Sequence, residues 1–141
     1  MSESRLPDYL DQMLEATLQA CSYVEGMRKE DFLADKRTQQ AVILNLIIIG
    51  EVATKLLQSH GDFLDHHADV PWRSMKGMRN RIAHGYFDIN LDMVWETIQK
   101  ALPELAARLP SIRKMAGEYC QLTQSIQSES IDSRFGERNQ S

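Results

Sequence analysis

Apolar residues recur at spacings of three and four through most of this chain, and that helical period divides it into segments. Leu10, Met13, Leu14, Thr17, Cys21 and Val24 form one stripe and predict an amphipathic helix from about Leu6 to Met27. Lys29 to Asp35 is a charged break, with Asp31 and Asp35 as candidate N-caps. A second helix is predicted from about Lys36 to Ser59, stopping at Gly61. Its middle, Ala41 to Ala53, is apolar on almost every side, as in a helix at a bundle centre or a subunit interface. His60 to Val70 reads as a polar loop. A third helix opens at Pro71, a good first helical residue, and closes at Gly85, a good left-handed stop. Asn90 can cap a fourth, whose stripe is Leu91, Val94, Trp95, Ile98, Ala101, Leu102, Leu105 and Leu109. Pro103 is expected to kink or restart it, and Pro110 to break it again. A weaker last helix, Ser111 to Ile126, would use Ile112, Met115, Tyr119 and Leu122. No strand pattern or repeat is present. The expected fold class is all-α: an up-and-down helical bundle of about four to five main helices in one domain over residues 1–126, then a frayed polar tail over 127–141.

The third helix carries unusual chemistry. Arg73, Lys76, Arg79 and Arg81 lie in it with no acid among them. At 100° per residue Trp72, Met75, Arg79 and Ile82 share one stripe, a core face with a charge set into it. Arg73, Gly77, Asn80 and His84 share another. Gly77 costs about 1 kcal/mol relative to Ala in mid-helix, for which close approach by another backbone or by a substrate is a reason. Arg79 and His84 differ in direction by about 140°, so they converge only through the long Arg stem or a redirected helix end. A basic helix whose last-turn His84 complements the helix dipole is the plain alternative. Against it, an unpaired charge on a core stripe is costly.

Composition narrows the field. The chain has 141 residues, 43% of them hydrophobic, a formal net charge of −4 and a pI of about 5.5. A non-specific duplex binder is usually basic overall, so any nucleic-acid contact here is local. Cys21 and Cys120 have no ligand or redox spacing and read as reduced thiols of a cytoplasmic protein. The polar start lacks the apolar region of a signal peptide. The longest apolar run, Ala41 to Ile49, is too short to cross a membrane. His60, His66 and His67 with Asp62, Asp65 and Asp69 match no zinc spacing and read as a solvated loop, so no metal site is expected. The seven methionines read as core filler.

Several short motifs occur together: Asp8-Tyr9-Leu10, Phe32 with Asp35, Gln40-Ala41-Val42, Ile49-Gly50-Glu51, Pro71-Trp72, Gly77-Met78-Arg79-Asn80 through His84 and Tyr86, Val94-Trp95 and Leu102-Pro103. With them the chain, from Tyr9 to Leu105, resembles the HepT-like toxins of the HEPN superfamily of small helical nucleases. The resemblance implies a homodimer that joins two Arg/His motifs in one cleft and cleaves RNA without metal or other cofactor. It implies Arg79 and His84 as catalytic residues, with Asn80 orienting His84 or the substrate. It also implies a partner antitoxin, a minimal nucleotidyltransferase (MntA), that transfers AMP units from ATP onto Tyr86. Arg73, Lys76 and Arg81 are the further candidate RNA contacts. Glu51 either faces the cleft and contacts Arg79 or belongs to a local structural pair. Two other readings stay open: a non-catalytic HEPN module that binds a nucleotide or partners a nucleotidyltransferase, and a purely structural helical dimer.

Overall fold

A computed structural model describes residues 5–138, with side chains through residue 129. Among the described residues there is no strand. The elements are α1 (Leu6–Tyr23), α2 (Lys29–Leu33), α3 (Lys36–Ser59), α4 (Gly61–Asp65), α5 (Trp72–His84), a 3₁₀ turn (Tyr86–Asp88), α6 (Leu91–Glu96), a π turn (Thr97–Ala101) and α7 (Leu102–Arg138). The fold is all-α, as the periodicity predicts. α3 packs on both α1 and α5, and α7 lies along α1. By length and composition α3 could cross a bilayer, but half of its most apolar window is buried within the bundle.

Local chemistry explains most of the boundaries. α1 ends earlier than its apolar stripe suggests, and Gly26, at φ +76, lets the chain reverse there. The charged break contains a short helix. Its Phe32 is fully buried and its ring lies 5.4 Å from that of Trp95 in α6. Asp31 is not the cap of that helix but its third residue, and its carboxylate accepts from the Arg28 amide at 2.9 Å. Asp35 does cap α3, accepting from the Thr38 amide at 3.2 Å, and the hydrogen bonds from Thr38 hold its carboxyl below the usual carboxylate range. Asn90 caps α6 through the Met93 amide.

Four expectations need correction. The segment His60–Val70 is not a polar loop. It holds α4, whose Phe63 and Leu64 are buried, and the Phe63 ring lies 5.4 Å from that of Tyr119 in α7. Gly85 is not left-handed: its φ of −136 lies on the ordinary side of the map, and its amide donates to the Arg81 carbonyl. Pro71 is the N-cap of α5 rather than its first residue, and Trp72 anchors that end by donating from its indole to the His67 carbonyl at 3.0 Å.

The fourth concerns the prolines. Pro103 stands in the first turn of α7, which restarts after the π turn as expected, but Pro110 does not break that helix. Proline lacks an amide, and its ring opposes the carbonyl four residues back. The π turn widens the backbone just ahead of Pro103, with the Leu102 amide reaching back to the Thr97 carbonyl. Around Pro110, burial of Leu105, Leu109, Ile112 and Ala116 keeps the rod on α1. α7 then continues to Arg138, into the segment expected to be a tail, of which residues 139–141 lie outside the described residues. Ala116 takes the inner position in place of Met115, and Met115, Tyr119 and Leu122 are exposed.

α3 and α5 meet closely at Gly50. A Cβ built on Gly50 would lie 2.2 Å from the Arg79 Cβ and 2.9 Å from the Met75 carbonyl oxygen. Gly77, for which close approach was the expected reason, has only the Arg81 guanidinium near it, at 3.5 Å. The two glycines therefore respond oppositely to the same change. Gly50→Ala is expected to destabilise by about 1–3 kcal/mol, because overpacking against backbone exceeds the helix-propensity gain. Gly77→Ala is expected to stabilise by up to about 1 kcal/mol. Urea denaturation of both variants decides the signs.

Candidate active site

Arg79 sits on the inner stripe of α5, between buried Trp72 and Ile82, where α5 comes closest to α3. With Gly50 beneath its Cβ, the side chain runs along α3 and meets the next residue, Glu51. One guanidinium nitrogen, Nη2, is ion-paired with Glu51 Oε1. The other, Nη1, donates to Asn80 Oδ1 at 3.0 Å. The charge on the core stripe is thus paired and half-exposed rather than orphaned, which removes the desolvation cost that made it conspicuous in the sequence. Asn80 engages Arg79 here, not His84.

His84 is the last residue of α5 and is exposed. It lies five positions beyond Arg79, and among the described residues no hydrogen bond joins the two. One chain therefore presents an anchored guanidinium and, on a different face, an accessible imidazole. Arg73 and Arg81 are exposed and Lys76 is half-buried, so the basic surface of α5 is available to an anion. Tyr86 follows Gly85 in the 3₁₀ turn and is 49% exposed. Its ring lies edge-on to that of Phe87, centroids 5.9 Å apart.

The structure gives a reason for one residue that the sequence reading only named within a motif, and adds one that it passed over. Gly50 was visible as a glycine inside an apolar helix, but nothing local said which neighbour used the space. Phe87 is almost entirely exposed, which a sequence pattern does not distinguish from a core aromatic.

The His/Asp-rich segment is spoken for locally. His66 Nδ1 lies 2.9 Å from the Asp62 carbonyl oxygen, and the His67 ring stacks obliquely on Phe63 at 4.8 Å. Among the described residues no three His, Cys, Asp or Glu side chains converge as metal ligands. An apolar cavity of about 320 Å³ lies between α3, α5 and α7, lined by Leu46, Met75, Met78 and Leu105 and edged by an Asp69–Arg108 ion pair. Neither Arg79 nor His84 reaches it, so it is not the place for their chemistry. Cys21 and Cys120 are free thiols, and burial pushes the Cys21 thiol up.

Comparison with known proteins covers the same helices. The family described as Ribonuclease HepT-like matches residues 13–112, which include Glu51, Arg79, His84 and Tyr86. The protein named Probable ribonuclease HepT of Thermococcus cleftensis is 36% identical over 107 residues, 76% of this chain and 94% of that protein. A protein of Caldanaerobacter subterraneus subsp. tengcongensis that carries RNase in its name is 38% identical over 70% of this chain and 89% of its own length. Another, from Methanocaldococcus jannaschii, is 32% identical over 75% of this chain and 85% of its own. No solved structure matches the chain. The family match spans the central helices and every residue of the candidate site, and the chain belongs to the HepT-like ribonuclease family.

Proposed function

We propose that this protein is a metal-independent endoribonuclease, the toxin of a bacterial pair, and that it acts as a homodimer. The observation that carries the reading is the Arg79 guanidinium, anchored by Glu51 and Asn80 on α5, the helix that ends in exposed His84. Cleavage beside a 2′-hydroxyl needs a base for that hydroxyl, an acid for the leaving oxygen and positive charge at the developing phosphorane. Arg79 supplies a forked donor for the phosphate. One chain offers one motif histidine, and a two-fold dimer offers two, so His84 and its symmetry mate divide the acid and base roles. Arg73, Lys76 and Arg81 hold flanking phosphates. The overall negative charge restricts RNA to this one cleft in the cytoplasm.

Support for the dimer comes from α3. Leu44 is 57% exposed and Ile48 38% exposed, on the same stripe of the helix as Glu51. An apolar strip continuous with the Arg79 site suits an isologous interface that places two such sites together. Light scattering at micromolar concentration is expected to give a dimer. Leu44→Arg combined with Ile48→Arg is expected to yield a folded monomer that cleaves RNA at least about tenfold more slowly, since only half of the acid–base pair remains in reach. A monomeric wild-type protein that still cleaves would overturn the shared-histidine scheme.

Incubation with labelled RNA, with and without EDTA, tests the activity. Cleavage is expected in both, and His84→Ala or Arg79→Ala is expected to lower the rate by on the order of 10²–10³. For His84→Ala the fold cost is small because the residue is exposed at a helix end. A His84→Ala protein that cleaves at the wild-type rate removes the catalytic assignment.

Control is assigned to Tyr86 and an MntA-like nucleotidyltransferase antitoxin. Half-exposed beyond Gly85, the phenol is accessible to a transferase. An AMP group placed there adds a phosphodiester that competes with RNA phosphate for the arginines and fills the cleft. Tyr86→Phe is expected to keep cleavage largely intact yet resist neutralisation by the partner. Mass spectrometry after co-expression with the partner should find AMP, or multiples of it, on the peptide containing Tyr86. An unmodified peptide from a neutralised sample assigns the inhibition to complex formation instead.

A further inference from the structure

Phe87 is 98% exposed, the most exposed of the large hydrophobic side chains among the described residues. Leaving a phenylalanine in water forgoes the stabilisation that burial of its ring would give. The Asp88 amide donates to the Gly85 carbonyl at 2.9 Å and fixes the turn, and Tyr86 packs edge-on at 5.9 Å with an interplanar angle of 81°. A flat apolar ring therefore stands clear of the surface, three residues beyond His84.

We infer that Phe87 is a stacking platform for an unpaired nucleobase of the RNA substrate, next to the phosphate held by Arg79. The inference rests on the ribonuclease reading and adds a base-binding subsite to it. Two observations favour a base over a phosphate or an apolar partner. The cations Arg73, Lys76, Arg79 and Arg81 all lie on α5, whereas the turn that carries the ring, Tyr86–Asp88, holds no cation and one acid. A phosphate backbone therefore tracks α5 while a base reaches the ring. Aromatic stacking also suits RNA cleavage, which requires a strand whose nucleotides can be splayed from a helix. Met93, itself 54% exposed, and Arg81 belong to a small adjoining pocket of about 210 Å³ between α5 and α6 that gives the edge of a base room to settle.

The subsite is tested on single-stranded RNA oligonucleotides carrying an abasic position on either side of the mapped cleavage site. Phe87→Ala is expected to raise KM about tenfold on intact RNA. Phe87→Trp should restore it, and Phe87→Leu, apolar but not flat, should not. On RNA abasic at the stacked position, wild type and Phe87→Ala should have the same KM. A 2-aminopurine at that position should be quenched on binding to the His84→Ala protein and not to the His84→Ala, Phe87→Ala double variant. Unchanged KM for Phe87→Ala, or an equal effect on intact and abasic RNA, overturns the inference while leaving the ribonuclease reading standing. So does a Phe87→Ala protein that becomes monomeric in light scattering, since the ring is then a contact between two copies. If wild type cleaves no RNA, the ribonuclease reading itself falls, and the quenching experiment reports separately on the base.

Discussion

The close seating of α5 on α3 at Gly50 sets the geometry of the candidate site. A hydrogen in place of a side chain brings the Arg79 Cβ against the α3 backbone, and from there the guanidinium extends along α3. That direction leads to Glu51. The ion pair is half-exposed, and such pairs add at most about 1 kcal/mol to stability. Its effect is positional. A guanidinium held between a carboxylate and the Asn80 amide oxygen has already lost much of its rotamer freedom. Binding a phosphate then requires exchange of partners rather than the ordering of a loose chain.

The two halves of the site differ in mechanical character. Arg79 rises from a packed interface, and its position follows from the core. His84, Tyr86 and Phe87 lie at or beyond the end of α5, exposed, in a short turn fixed by backbone hydrogen bonds. The anchored part suits a fixed charge, which gains from preorganisation. The exposed part suits groups that meet other molecules: a symmetry-related subunit, a nucleotide strand or a modifying enzyme.

Much of this was legible in the sequence because it depends on short-range chemistry. The limits of α3, the Asp35 and Asn90 caps and the inward stripe of α5 each follow from periodicity or one side chain. What escaped depends on distant partners. Gly77 and Gly50 look alike locally, and only the approach of α5 tells which one is needed. Phe63 and Leu64 lie among His and Asp residues, so the segment reads as polar although these two reach the core. Pro110 reads as a break because proline disfavours a helix by about 3 kcal/mol. Packing against α1 holds the rod through that cost. The contact between Glu51 and Arg79 was one of two alternatives in the sequence, and the side-chain geometry places the ion pair at the mouth of the α3–α5 contact.

The π turn at Thr97–Ala101 has a bearing on how related chains are compared. A π turn holds one more residue than an α turn, so every side chain after it is rotated by about 100° from where an uninterrupted helix would place it. Leu102, Leu105 and Leu109 are buried in the phase that the extra residue sets. A relative lacking one residue here would keep an equally long, straight helix but direct a different row of side chains at the bundle. An alignment gap inside a continuous helix, normally a sign of misalignment, is at this place a change of phase.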